Sequence, residues 1–211
     1  MNSTLILASA SPRRQELLTQ AGYRFAVQPS SIPESLQPGE DAIRFATRLA
    51  REKAEEVFAR HQSSTAPAMV LGADTVVVCN GEVMGKPADA ADAERMLLLL
   101  AGRTHQVVTG VAVVWGLGSA EVAAELTQVT MCTLSPQEVA GYVASGEPMD
   151  KAGAYAIQGY AGRWIPRIHG CYFNVVGLPL ALVTSLLEGA ELRIASQLDP
   201  AKASSLRGSS T

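Results

Sequence analysis

The chain has 211 residues, 47% hydrophobic and 18% charged, enough to bury one substantial core at the upper end of ordinary single domains. A net charge of -3 leaves no global basic field for nucleic acid, and 5% aromatic content speaks against a binder that stacks single-stranded bases. Cys79, Cys132 and Cys171 lack zinc or redox spacing and read as reduced thiols of a cytoplasmic protein; no apolar run approaches the roughly 20 residues that span a bilayer.

Residues 4–8 form a short apolar run that reads as a buried strand, followed by a helix over 12–20 that Gly22 ends in a left-handed cap. Ser11 stands at the N-cap and Pro12 at the first helical position, where a missing N–H costs nothing. Arg13 and Arg14 follow at once, although the helix dipole disfavours cations in a first turn unless an anion sits nearby. Two readings stand for this turn: solvated capping chemistry, or a phosphate grip of free backbone donors and forked guanidinium groups.

A second helix is predicted over 41–61, burying Ile43, Ala46, Ala50, Ala54 and Val57 along one stripe with Lys53 beside it. Residues 68–78 read as a strand, and Asn80-Gly81 as a hairpin turn returning through 82–84. Asp89 opens a helix to Leu100, ended by Gly102. Residues 106–115 and 121–134 read as paired long strands, and Ser135-Pro136-Gln137-Glu138 as a capping box starting a helix that ends near Gly146. An ordered loop over 147–162, a strand over 164–168 and a final helix over 179–187 complete the chain. Residues 1–195 are expected to form one domain. Residues 196–211, rich in Ser, Ala and Gly, read as a disordered tail. Strands alternating with helices imply an α/β fold, with ligands met where strands end.

Asp74 places a carboxylate inside an apolar strand between small residues. It is either a bulge aspartate bonded to backbone or, among Lys53, Lys86 and the two arginines, a metal-holding or water-activating group beside phosphates. Gln158, in DKAGAYAIQG, either ties down its own loop or reads the acceptor and donor edge of a base. His61, His105 and His169 have no metal-ligand spacing and take no catalytic role. Glu34 has no role on local grounds.

The motifs LASASPRRQELL, LGADTVVV, GKP, DKAGAYAIQG and NVVGLP occur in this order. Together they resemble the Maf family of nucleoside triphosphate pyrophosphatases, over residues 5–187. DKAGAYAIQG is similar to the branch acting on dTTP and UTP. The resemblance implies a mixed twisted sheet flanked by helices, two lobes around a central cleft, and a fold similar to inosine triphosphate pyrophosphatases. It also implies that Ser9, Arg13, Arg14, Lys53 and Lys86 hold the triphosphate, and that Asp74 accepts a proton. Glu34 and Asp74 would hold Mg²⁺ or Mn²⁺, while Arg13, Thr75 and Gln158 would select the base. The expected partner is a small nucleoside triphosphate, with neither nucleic acid nor membrane involved and with homodimers common among relatives. The expected reaction is hydrolysis of dTTP, UTP and modified pyrimidine nucleotides to monophosphate and pyrophosphate, cleaning the nucleotide pool. The alternative is a non-catalytic nucleotide-binding regulator of cell division, for which a carboxylate repelling the phosphates has no use.

Overall fold

A computed structural model describes residues 4–61 and 68–198. Seven strands form one mixed sheet in the order β2-β1-β3-β5-β6-β7, with β4 paired to β3 off that path. The strands are β1 (Thr4–Leu7), β2 (Phe25–Val27), β3 (Ala68–Cys79), β4 (Glu82–Met84), β5 (Thr104–Gly116), β6 (Ser119–Thr130) and β7 (Arg167–His169). β1 runs parallel to β2 and β3, and all other pairs are antiparallel. The helices are α1 (Pro12–Gln20), α2 (Ala42–Arg60), α3 (Ala90–Leu100), α4 (Pro136–Ala144), α5 (Tyr172–Val176) and α6 (Leu180–Leu198).

Alternation along the strands divides the core. Ile6, Val70, Ala112 and Val114 face α2, which meets them with Ala50, Ala54 and Val57. Leu5, Leu7, Leu71 and Val111 face the other way, toward Leu17 and Leu18 of α1 and Val183 and Leu187 of α6. A third cluster packs α3 and α4 around Val77, Met84 and Trp164 at the hairpin end of the sheet.

The edge of β3 turned away from β5 is shared. β1 pairs with residues 68–71 of β3 and β4 with residues 77–79, so residues 72–76 have no strand beside them on that edge. The lobe of β1, α1 and α6 and the lobe of β4, α3 and α4 part at this gap, and a cavity of about 700 Å³ opens there.

Local chemistry accounts for the element ends. Asn80 and Gly81 turn the hairpin with φ of 51° and 81°, the left-handed pair a two-residue turn demands. Asp41 and Asp89 cap α2 and α3 through their side chains, and the Ser135–Glu138 capping box is formed in full.

Several sequence expectations need correction. Ser11 occupies the N-cap of α1 but its side chain makes no capping bond; its N–H donates to Ser9 Oγ at 3.3 Å instead. Ile43 is exposed, because the buried face of α2 is set by Phe45, Leu49 and Val57. The strand expected to reach residue 134 ends at Thr130. Residues 160–164 form a 3-10 turn, moving the following strand to Arg167–His169. β2 and α5 are additional elements of three and five residues, too short to show a period. Helix α6 runs past residue 187 to Leu198, with Gly189 lying close to the Glu121 carboxylate of β6. The remainder of the expected tail, 199–211, lies outside the described residues. Among the described residues no helix is long and apolar enough to cross a membrane.

Candidate active site

All nine side chains singled out from sequence line the same cavity, at the gap in β3. Asp74 enters it from the unpaired stretch of β3, on the face covered by α2. Gly72 and Gly110 lie on that same face, Gly110 directly opposite Asp74. A Cβ on Gly72 would stand 2.0 Å from the Ala50 carbonyl oxygen, and one on Gly110 2.3 Å from the Ala46 backbone. Helix and sheet therefore approach with no side chain between them, which brings Lys53 onto Asp74.

Lys53 Nζ donates to Asp74 Oδ1 at 2.6 Å and to Glu34 Oε1 at 2.5 Å. Lys53 and Asp74 are only 8% and 6% exposed, so the pair is shielded from water, whereas Glu34 keeps a solvent-facing side. Lys86, exposed on the loop after β4, stands 3.9 Å from Glu34 Oε2. Burial pushes the Asp74 carboxyl above its usual range, against the charge and hydrogen bond of Lys53. Burial acts likewise on Glu34, but there Lys53, Lys86 and Arg14 prevail and hold the carboxyl below its usual range. Two acids on one ammonium are thus driven apart, the pattern that separates a proton acceptor from a permanent charge.

The two arginines behave differently. Arg14 is buried and already engaged: Nε donates to Gly177 O (2.8 Å), Nη1 to Ala73 O (2.8 Å) and Ser9 Oγ (3.1 Å), and Nη2 to Thr75 Oγ1 (3.0 Å). Of the five guanidinium N–H groups, one on Nη2 remains free. Arg13 reaches across the cleft to Asp150, with Nη1 3.3 Å from Oδ2. Ser9 Oγ accepts from Ser11 N–H and Arg14, leaving its proton for a ligand. Thr75 Oγ1 also contacts Thr109 Oγ1 at 2.9 Å, and Thr109 Oγ1 donates to the Asn174 carbonyl, so the floor is a connected polar network. Gln158 also lines the cavity, exposed to solvent, and among the described residues its amide has no hydrogen-bond partner.

Three contributions were given no site role on the sequence. Asp150, at the rim, holds Arg13 and pairs with Lys151 Nζ at 2.5 Å. Arg48 clamps the segment carrying Glu34: it pairs with Glu40 through Nε (2.7 Å) and Nη2 (2.8 Å) and donates to Ser35 O at 2.9 Å. His105, fully buried, bonds Tyr155 behind the cavity wall, and burial lowers its pKa to about 4. For Asp150, its place in the DKAGAYAIQG motif was a usable signal. Glu40 precedes its helix, so no helical spacing links it to Arg48.

No group of three or more potential metal-ligating residues occurs among the described residues. Glu34 and Asp74, meeting at one ammonium, nevertheless suit a hard cation that takes one or two protein carboxylates and completes its shell with phosphate oxygens and water.

A family model described as Maf-like protein matches residues 4–190. The chain is 50% identical over 186 residues to the dTTP/UTP pyrophosphatase of Koribacter versatilis, covering 88% of this chain and 94% of that protein. Identity to the dTTP/UTP pyrophosphatase of Geobacter sulfurreducens is 53% over 180 residues, covering 85% and 92%. For the Salmonella typhimurium protein of the same description it is 51% over 185 residues, covering 88% and 92%. A crystal structure of a nucleoside-triphosphatase / dITP/XTP pyrophosphatase from Mycobacterium abscessus matches with TM-score 0.40 at 15% identity, covering 62% of this chain and 75% of that one, too slight a likeness to bear on the site.

Proposed function

The chain belongs to the Maf family, and on that premise we propose that its cavity hydrolyses pyrimidine nucleoside triphosphates, dTTP and UTP foremost, to the monophosphate and pyrophosphate. The observation that carries this is the Lys53 ammonium seated between Glu34 and Asp74, beside Ser9 and Arg13 at the start of α1. Asp74 takes a proton from a water that adds to the α-phosphorus; the bond from that phosphorus to the bridging oxygen breaks, and pyrophosphate leaves with the bridging oxygen. Burial favours this role by making Asp74 a stronger base than an exposed aspartate.

Arg13, Lys86 and the Ser9 hydroxyl bind phosphate oxygens, with the free Nη2 proton of Arg14 beside them. Most of Arg14 serves instead to hold α1 against β3 and the Gly177 turn. Mg²⁺ or Mn²⁺, held by Glu34 and Asp74, would neutralise the oxygens on which charge develops. Gln158, exposed in the cavity lining, reads the base edge, with Arg13 and Thr75 completing base selection. The reaction belongs in the cytoplasm, where thiols such as Cys79, Cys132 and Cys171 stay reduced, and modified pyrimidine nucleotides are natural targets of such a clean-up enzyme. A purely regulatory role is not favoured, since relatives at about half identity are described as pyrophosphatases.

Pyrophosphate release from dTTP, UTP, CTP and 7-methyl-GTP, measured with Mg²⁺ or Mn²⁺, tests the reading. A preference for dTTP and UTP is expected, and Asp74→Asn should lower turnover by about 10² to 10⁴. Near-normal turnover in that variant, or preference for the methylated purine, rejects it.

A further inference from the structure

We propose that Tyr142 and Glu147, neither of which lines the cavity, form a clamp that fixes the loop presenting Gln158 and so act as positioning residues for base selection. The inference deepens the base-reading role given to Gln158 and rests on it. Tyr142 lies on α4, buried to 3% exposure in the cluster of α3, α4 and Trp164. Its hydroxyl donates to Glu147 Oε1 at 3.0 Å and accepts from the Ala156 N–H at 3.3 Å. Glu147 Oε1 in turn accepts from the Tyr160 N–H at 3.2 Å. The backbone is therefore tied to one phenol and carboxylate pair two residues before Gln158 and again two residues after it.

The surroundings are fitted to this arrangement. A Cβ on Gly159 would stand 1.9 Å from Glu147 Oε1, so only glycine leaves room for the carboxylate next to Gln158. Tyr160 stacks on Tyr142 with ring centroids 5.9 Å apart, and Trp164 meets both rings edge-on. Burial, then the neighbouring Glu147, hold the phenol well above its usual range, so Tyr142 stays a protonated donor.

The clamp matters because Gln158 has no partner of its own among the described residues. An amide that reads a base must present donor and acceptor together, within about 0.5 Å of the productive geometry. With the side chain otherwise unsupported, that placement comes from the backbone on either side, which Tyr142 and Glu147 hold. The side chains proposed to bind phosphate, and Asp74, lie on other elements, so loosening the clamp should weaken base choice before it slows the chemical step.

The test uses the full-length protein and five variants: Tyr142→Phe, Glu147→Ala, Glu147→Gln, Gln158→Ala and the double variant Tyr142→Phe/Gln158→Ala. Specificity is read as the ratio of kcat/KM for dTTP to that for CTP, and amide hydrogen exchange is followed at Ala156 and Tyr160. Tyr142→Phe and Glu147→Ala should each lose about tenfold of the ratio, the worth of one ordinary hydrogen bond, mainly through KM and with faster exchange. Glu147→Gln, which keeps an acceptor oxygen, should retain most of the ratio. Tyr142→Phe should cost nothing further in a Gln158→Ala background. If Gln158→Ala loses the preference while Tyr142→Phe keeps it, the clamp alone is overturned. If Gln158→Ala keeps the preference, base reading falls and the clamp's effect on selectivity falls with it. A uniform drop in kcat across nucleotides with an unchanged ratio makes the pair a folding support and also overturns the proposal.

Discussion

Asp74 and Glu34 touch the same ammonium yet are pushed in opposite directions: burial under α2 prevails at Asp74, whereas at Glu34 the pull of Lys53, Lys86 and Arg14 outweighs burial. A rate that needs ionised Asp74 is lost as pH falls through its raised pKa. The acidic limb of the kcat/KM profile should therefore lie above the ordinary aspartate value of about 3.9. Glu34→Gln removes a like charge and leaves Lys53 to Asp74 alone, so the limb should move to lower pH. A limb that stays put or rises in that variant contradicts the assignment, whatever happens to the maximal rate. The arginines make a second point at this scale: adjacent in sequence, one is a buried strut and the other a cleft-spanning group.

Among elements, the contact between α2 and the sheet decides the site. Ala46, Ala50 and Ala54 meet Gly72 and Gly110 without an intervening side chain, and the nearest atom in the way of each added Cβ is backbone, which cannot swing aside. Gly110→Ala should push α2 outward, cost about 1–3 kcal/mol and lower activity by separating Lys53 from Asp74. Gly141→Ala, on α4 with nothing within 4 Å of the new Cβ, is the control and should leave stability unchanged or slightly raised. Urea unfolding midpoints compare the two. Equal midpoints would show that the close approach is not required.

Across the whole molecule, the broken edge of β3 sets the cleft between two lobes, and Arg13 with Asp150 bridges them over 137 positions of chain. On the proposed reading, substrate phosphates would compete with Asp150 for the Arg13 guanidinium. Asp150→Asn should therefore lower KM for dTTP about two- to fivefold, the range of an exposed ion pair, with the advantage shrinking at high salt. A raised KM would mean that Asp150 helps hold the nucleotide.

What was legible in the sequence was short-range. The Asn80-Gly81 turn, the Asp41 and Asp89 caps and the Ser135–Glu138 box lie within a few residues of their partners. The same holds for the conspicuous residues themselves, since arginines in a first helical turn and an acid in an apolar strand violate local rules that a reader can check. The exposure of Ile43 depends on which face of α2 the packed sheet covers, which a helical stripe alone leaves open. Tertiary structure alone decided that Lys53 sits between Glu34 and Asp74, 19 and 21 positions away, and that Arg14 spends its donors on Ala73 and Gly177. The physical reason is range: backbone hydrogen bonds and side-chain periodicity act over a turn or two of chain, whereas a buried charge takes its partner from whatever distant segment the packed core brings beside it.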